Sequence, residues 1–111
     1  MLKKEYRLPS QTFIKSSLVY KTTFFIARIA SNNLDISRFG FVVSKKVDKR
    51  ATARNKIKRI FRSCIEQNIE RIKPGFDFLF IVKKESLSEE SKNICSSVIE
   101  VLIKERLLKT L

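Results

Sequence analysis

The chain has 111 residues, 43% hydrophobic and 32% charged, with no His and with 24 Lys and Arg against 11 Asp and Glu. That length and apolar content fit one globular domain over residues 1–111 and exclude a disordered chain. The net charge of +13 repels itself, which points to a polyanionic partner, phosphate backbones first and an anionic membrane surface second.

A membrane role finds little support, because no apolar run approaches the ~20 residues that span a bilayer. The opening MLKKEYRLPS is basic but leads into no apolar run, so it does not read as a secretory signal. Only two Gly and two Pro occur, which argues against an interdomain linker. Residues 1–9 read as irregular and basic. Ser10 is placed to cap a short helix that carries Phe13 on one side.

The next stretch, Thr22–Ala30, is rich in Phe and Ile and reads as a strand; whether Leu18–Lys21 forms another is open from pattern alone. Ser31, Asn32, Asn33 and Asp35 supply turn chemistry, and Arg38–Ser44 reads as a second strand, giving an expected antiparallel hairpin. From Thr52 to Ile72 the spacing becomes helical, with Ile57, Ile60, Phe61, Cys64, Ile65, Ile69 and Ile72 on one face. Lys73-Pro74-Gly75 ends that helix. Phe76–Val82 is nearly all apolar and reads as a buried strand. Ser86 and Glu89 have the spacing of a capping box for a last helix, whose stripe is Ile94, Val98, Val101 and Leu102 and whose basic end is Lys104, Arg106 and Lys109. The order describes an α+β or α/β sandwich, one small sheet backed by helices. Cys64 and Cys95 fall within the helical stripes without metal-site spacing. They are expected as reduced core thiols in a cytoplasmic protein.

Charge is concentrated in Ser44–Arg62, which holds nine of the basic residues and a single acid, Asp48. A solvated helix face ordinarily mixes Glu with Lys at i and i+4, whereas Arg54, Lys58 and Arg62 follow one another with no acid between. At about 100° per residue, Arg54, Asn55, Lys58, Arg59 and Arg62 share one arc opposite Ile57 and Phe61, and Lys56 falls outside it. Lys45, Lys46, Lys49 and Arg50 precede the helix, and its N-terminal amides add donors for phosphate. This one-sided footprint points to nucleic acid, with Asn55 able to reach phosphate, a 2′-hydroxyl or a base edge. No catalytic centre is visible in the chain itself: there is no His, and the acids are scattered rather than clustered for metals.

The stretch RFGFVVSKKVDKRATARNKIKRIFR, Arg38 to Arg62, resembles the signature of the bacterial ribonuclease P protein family. Its Ser-Lys-Lys strand end and its Ala-x-x-Arg-Asn-Arg-x-Lys-Arg helix start correspond to Ser44, Lys45, Lys46, Ala51, Arg54, Asn55, Lys58 and Arg59. Arg7-Leu8, Phe13 and the strand FDFLFIVKK also resemble that family. The resemblance implies an α+β fold like the second domain of a small-subunit ribosomal protein, with a small central sheet and a left-handed strand–helix–strand crossover. That handedness rests on the resemblance alone, since general rules favour the right-handed form. It implies further that the basic segment faces a catalytic RNA, that Mg²⁺ is bound mainly by that RNA, and that the protein contributes no catalytic residue or metal site. Precursor tRNA is the implied substrate, its 5′ leader lying in a cleft between the sheet and the first helix, with Arg7 and Phe13 as candidates. From its spacing, Phe13 fits base stacking and a plain core role equally well. Lys56 stands where the family has Arg, which keeps charge but forfeits a bidentate fork. Ser17 replaces a second aromatic of some members, and Leu18 or Tyr20 are the substitutes to consider. The rival readings are a ribosomal or other structural RNA-binding protein and a free-standing nuclease, the latter disfavoured by the missing His.

Overall fold

The protein is described by a computed structural model over residues 3–8 and 18–109. Four strands, β1 (Leu18–Lys21), β2 (Phe25–Ser31), β3 (Arg38–Val42) and β4 (Phe76–Val82), form one sheet in the order β1-β2-β4-β3. Helix α1 (Ala51–Asn68) connects β3 to β4, and α2 (Ser91–Lys104) follows β4. The expected α+β architecture and the β3–α1–β4 crossover between parallel neighbours are present. Leu18–Lys21 is a strand, paired antiparallel with β2.

The expected hairpin between the second and third strands is not formed. β2 and β3 lie on either side of β4, antiparallel and parallel to it respectively. The run FDFLFIV accounts for the difference, since a strand apolar on both faces gains most from the sheet centre. The turn residues serve a wider crossing instead. Asn32 donates from its amide nitrogen to Gly75 O (2.9 Å) and from Nδ2 to Asp77 Oδ1 (2.9 Å) and Ile36 O (3.1 Å). Those bonds tie the 32–37 connection to the start of β4. Gly75 enters β4 with φ of +94°, a left-handed conformation that a side chain would strain.

One sheet face is the core. Phe25, Ala27, Ile29, Phe39, Phe78, Phe80 and Val82 are buried there under Ile57, Phe61, Cys64 and Ile65 of α1 and Ile94, Val98, Val101 and Leu102 of α2. Phe61 reaches the sheet at 5.7 Å from Phe25 and 6.0 Å from Phe80, while Phe39 stacks on Phe78 at 5.0 Å. Phenylalanine is thus spent chiefly on the core, leaving few described rings for an unpaired base. The last helix starts at Ser91, not at Ser86, which is buried in a 3-10 segment with its hydroxyl bonded to Lys83 O (2.7 Å). Glu89 accepts instead from Asn93 Nδ2 at 2.6 Å.

The cysteines also depart from expectation. Cys64 of α1 and Cys95 of α2 are joined in a disulfide with Cα atoms 5.6 Å apart. Their stripes face each other across the helix pair, at a separation within the usual disulfide range. Helical spacing placed each cysteine on a buried face but carried no information on which residue it meets. No helix among the described residues is long and apolar enough to cross a membrane.

Candidate nucleic-acid interface

The basic segment forms the loop between β3 and α1 and the first three turns of α1. Val43 and Val47 pin the loop to the core, and Val47 N donates to Ser44 O at 3.0 Å. Lys45 and Lys46 between these anchors, and Lys49 and Arg50 after them, are exposed. No side chain of the N-cap residue Arg50 caps α1 and no acid lies in its first turn, and the nearby carboxylate of Asp48 bonds the Arg50 amide at the helix start.

Asp48 organises the loop from within. Its carboxylate accepts from Arg50 N (2.8 Å), Arg50 Nε (3.2 Å) and Arg50 Nη2 (2.9 Å). Those Arg50 hydrogen bonds hold the Asp48 carboxyl at about 2, below its ordinary 3.8. From the first turn of α1, Arg54 Nη1 donates to Asp48 O at 2.9 Å and Lys49 O at 2.8 Å. Arg54 thus bonds the loop backbone through Nη1, a role its charge alone did not announce. The turn itself has a sequence signal, an Asp two residues before a donor amide.

The α1 arc is divided in the folded chain. Asn55 and Arg59 are exposed, while Arg54, Lys58 and Arg62 are half-buried in a file. Arg62 lies over the Phe41 ring of β3 at 6.0 Å, a cation–π distance that helps hold its guanidinium in place. Lys56 belongs elsewhere: with Arg59, Ser63, Ser91, Lys92 and Cys95 it lines an open groove of about 460 Å³ between α1 and α2. Lys92 is a cation on this side that helix periodicity of α1 could not reveal. Among the described residues, Lys45, Lys46, Lys49, Lys56, Lys58 and Arg59 take part in no ion pair.

The other sheet face lacks a helix among the described residues. Ile26, Arg28, Leu79, Ile81 and Gly40 are half-buried on it, beside exposed Val19, Lys21 and Val42. Arg7 bridges Phe39 in parallel, so the N-terminal segment follows the outer edge of β3. Leu8 then packs over Gly40 and Leu79. A Cβ on Gly40 would meet atoms of both at 3.2 Å, tighter than ordinary contact. Phe13, Ser10 and Ser17 lie outside the described residues. Leu18 and Tyr20 pair with Ile29 and Ala27 and share their helix-covered face, so neither replaces an aromatic on the open face. Arg38 on that face is held by Asp77, Nε to Oδ1 at 2.9 Å and Nη2 to Oδ2 at 2.8 Å. Burial pushes the Asp77 carboxyl up, but the hydrogen bonds from Arg38 and Asn32 prevail and leave it below its ordinary value.

No three His, Cys, Asp or Glu side chains gather as metal ligands among the described residues. The arrangement can bind and orient a polyanion.

A family model described as ribonuclease P matches residues 2–106. The ribonuclease P protein component of Fusobacterium nucleatum is 40% identical over 79 residues, covering 71% of this chain and 63% of that relative. The component from Clostridium botulinum strain Loch Maree is 35% identical over 86 residues, 77% of each chain. The chain also resembles the solved RNase P protein of Staphylococcus aureus, with a TM-score of 0.81, 26% identity, and 94% of this chain and 98% of that one covered. The Thermotoga maritima RNase P protein is similar over 78% of this chain and 82% of its own, with a TM-score of 0.72 and 27% identity.

Proposed function

The chain belongs to the bacterial ribonuclease P protein family, and on that premise we propose that it is the protein subunit of a ribonucleoprotein ribonuclease P in the cytoplasm. Its partners on this reading are the catalytic RNA and precursor tRNA, and the product is tRNA freed of its 5′ leader. The observation that carries the reading is the single basic surface of Lys45, Lys46, Lys49, Asn55, Lys58 and Arg59 on the β3–α1 connection. Such a surface releases counterions from an RNA backbone and positions it without reading much sequence.

Bond cleavage is assigned to the RNA subunit, with Mg²⁺ activating water. On the same proposal that ion belongs mainly to the RNA. The protein's work is to bind and to orient. The open sheet face bordered by Arg7 and Arg28 is proposed to take the unpaired 5′ leader, with Phe13 supplying a stacking ring.

The test is cleavage of precursor tRNA by the protein alone, by a bacterial ribonuclease P RNA at low Mg²⁺, and by both together. The expected outcome is no cleavage by the protein and faster 5′ processing by the complex than by RNA alone. A chain that binds the RNA yet leaves processing unchanged is a structural RNA-binding protein. A chain that cleaves without RNA, free of contaminating nuclease, sinks the proposal from the other side.

A further inference from the structure

We propose that Asp48 and Arg54 are positioning residues, which hold the β3–α1 loop in the shape that presents Lys45, Lys46 and Lys49 to RNA, rather than RNA contacts in their own right. The inference rests on the reading that this chain binds the catalytic RNA.

Asp48 is the single acid in the most basic part of the chain. A carboxylate close to a phosphate backbone repels it, so on charge alone this position weakens the interface. Its geometry gives a reason for its presence. One carboxylate closes a tight turn on the Arg50 amide and fixes the Arg50 guanidinium at the same time, through bonds of 2.8, 3.2 and 2.9 Å. The backbone on either side of that turn is held by a different residue. Arg54 Nη1 takes the carbonyls of Asp48 and Lys49 together, at 2.9 and 2.8 Å. Arg54 N donates to Arg50 O at 3.2 Å, which ties Arg50 to the first turn of α1.

At the other end of the loop Val43 is buried in the core, and Val47 at mid-loop packs on the core and bonds back to Ser44 O. The three lysines thus sit on a short chain tied at both ends. A tethered loop binds with less loss of conformational entropy than a free one, because its ordering is already complete. Lysine is the residue that needs this most, since its ammonium is a point charge on a flexible stem. Arg54, half-buried and with one nitrogen used twice, is placed to supply order rather than an open charge.

Two measurements with catalytic RNA separate this from a purely electrostatic account. Asp48→Asn makes the chain more positive while breaking the fork to Arg50. Electrostatics alone tightens RNA binding in that variant, and loss of positioning weakens it, by about three- to tenfold. The second measurement is a cycle between Arg54→Ala and the triple change Lys45→Ala, Lys46→Ala, Lys49→Ala. A residue acting through those lysines loses its effect once they are gone, so Arg54→Ala in the triple background should change affinity less than about 1.5-fold. Far-UV circular dichroism and melting temperature are read on every variant. Should Asp48→Asn fail to fold, the Arg54 cycle alone decides.

Tighter or unchanged binding by folded Asp48→Asn overturns the proposal, as does an additive Arg54 effect. Failure of the unaltered chain to bind catalytic RNA is a different result, which removes the parent reading and this one with it.

Discussion

Reducing the Cys64–Cys95 disulfide should lower stability without abolishing the fold. The bond closes a loop of 31 residues, which spans the C-terminal end of α1, all of β4 and the start of α2. Loop-closure entropy for that length is worth about 3–4 kcal/mol, between the ~3 expected for 15 residues and the ~4.7 for 100. The helix pair retains Ile57, Phe61, Ile65, Ile94 and Val98 in the core, so the reduced chain remains folded at 25 °C. For a domain of this size the melting temperature should fall by roughly 10–20 °C. The assay is thermal and urea unfolding with and without a phosphine reductant, with thiol titration confirming the redox state. The urea slope should steepen on reduction, because the unlinked unfolded chain exposes more surface. Melting points that agree within about 2 °C would refute the argument, since the cross-link would then contribute nothing to the unfolded-state entropy. The same titration on protein taken from a reducing cytoplasm tests whether the bond persists there.

Replacing Lys58 and Arg59 by Ala should weaken catalytic-RNA binding and flatten the slope of log affinity against log salt by about 0.7–0.9 per lost phosphate contact. The same pair of changes at Lys104 and Arg106 should do less, and the reverse ranking misplaces the RNA surface. Asp77→Asn should cost about 1–3 kcal/mol by breaking the Arg38 fork. Because the folded Asp77 carboxyl lies below its ordinary 3.8, its contribution is complete above that value and lost as pH falls through the lower folded one. Acid unfolding of wild type and Asp77→Asn should therefore converge at low pH. Gly40→Ala should displace Leu8 or Leu79 and destabilise by about 1–3 kcal/mol, read by urea unfolding. Phe13→Ala should reduce precursor tRNA affinity by ~1–3 kcal/mol and leave mature tRNA unchanged if the ring stacks on the leader; a loss confined to melting temperature assigns Phe13 to the core.

The elements were legible because each advertises a period. Ile57, Phe61, Cys64 and Ile65 recur as one helix face and are buried as one, and Phe76–Val82 is the strand its apolar run announces. What periodicity lacks is a partner list. The pattern of β2 and β3 is the same whether they pair with each other or with β4, and chain order favoured the wrong choice. The decisive fact was the two-sided apolarity of Phe78, Leu79, Phe80 and Ile81, which makes that strand central. Cys64 and Cys95 failed the same way: each lay on a stripe, and only the docking of α1 on α2 brought them to 5.6 Å.

At the site, the sequence displayed charge but not its distribution among roles. Nine cations in one segment look equivalent on a helical wheel, yet folding divides them by what lies within reach. Arg50 is matched to Asp48, Arg54 to two loop carbonyls and Arg62 to the Phe41 ring. Each of these is an arginine, whose planar fork suits fixed partners, whereas the other six, which make no ion pair, side-chain hydrogen bond or ring contact among the described residues, are five lysines and Arg59. The division has a physical sense. Guanidinium groups build the frame, and mobile ammonium groups meet a backbone whose phosphates need charge more than fixed geometry. On that view Lys56 is no weakened arginine. It lines the α1–α2 groove with Lys92 and makes no ion pair among the described residues, so a point charge on a flexible stem serves there without a fixed fork.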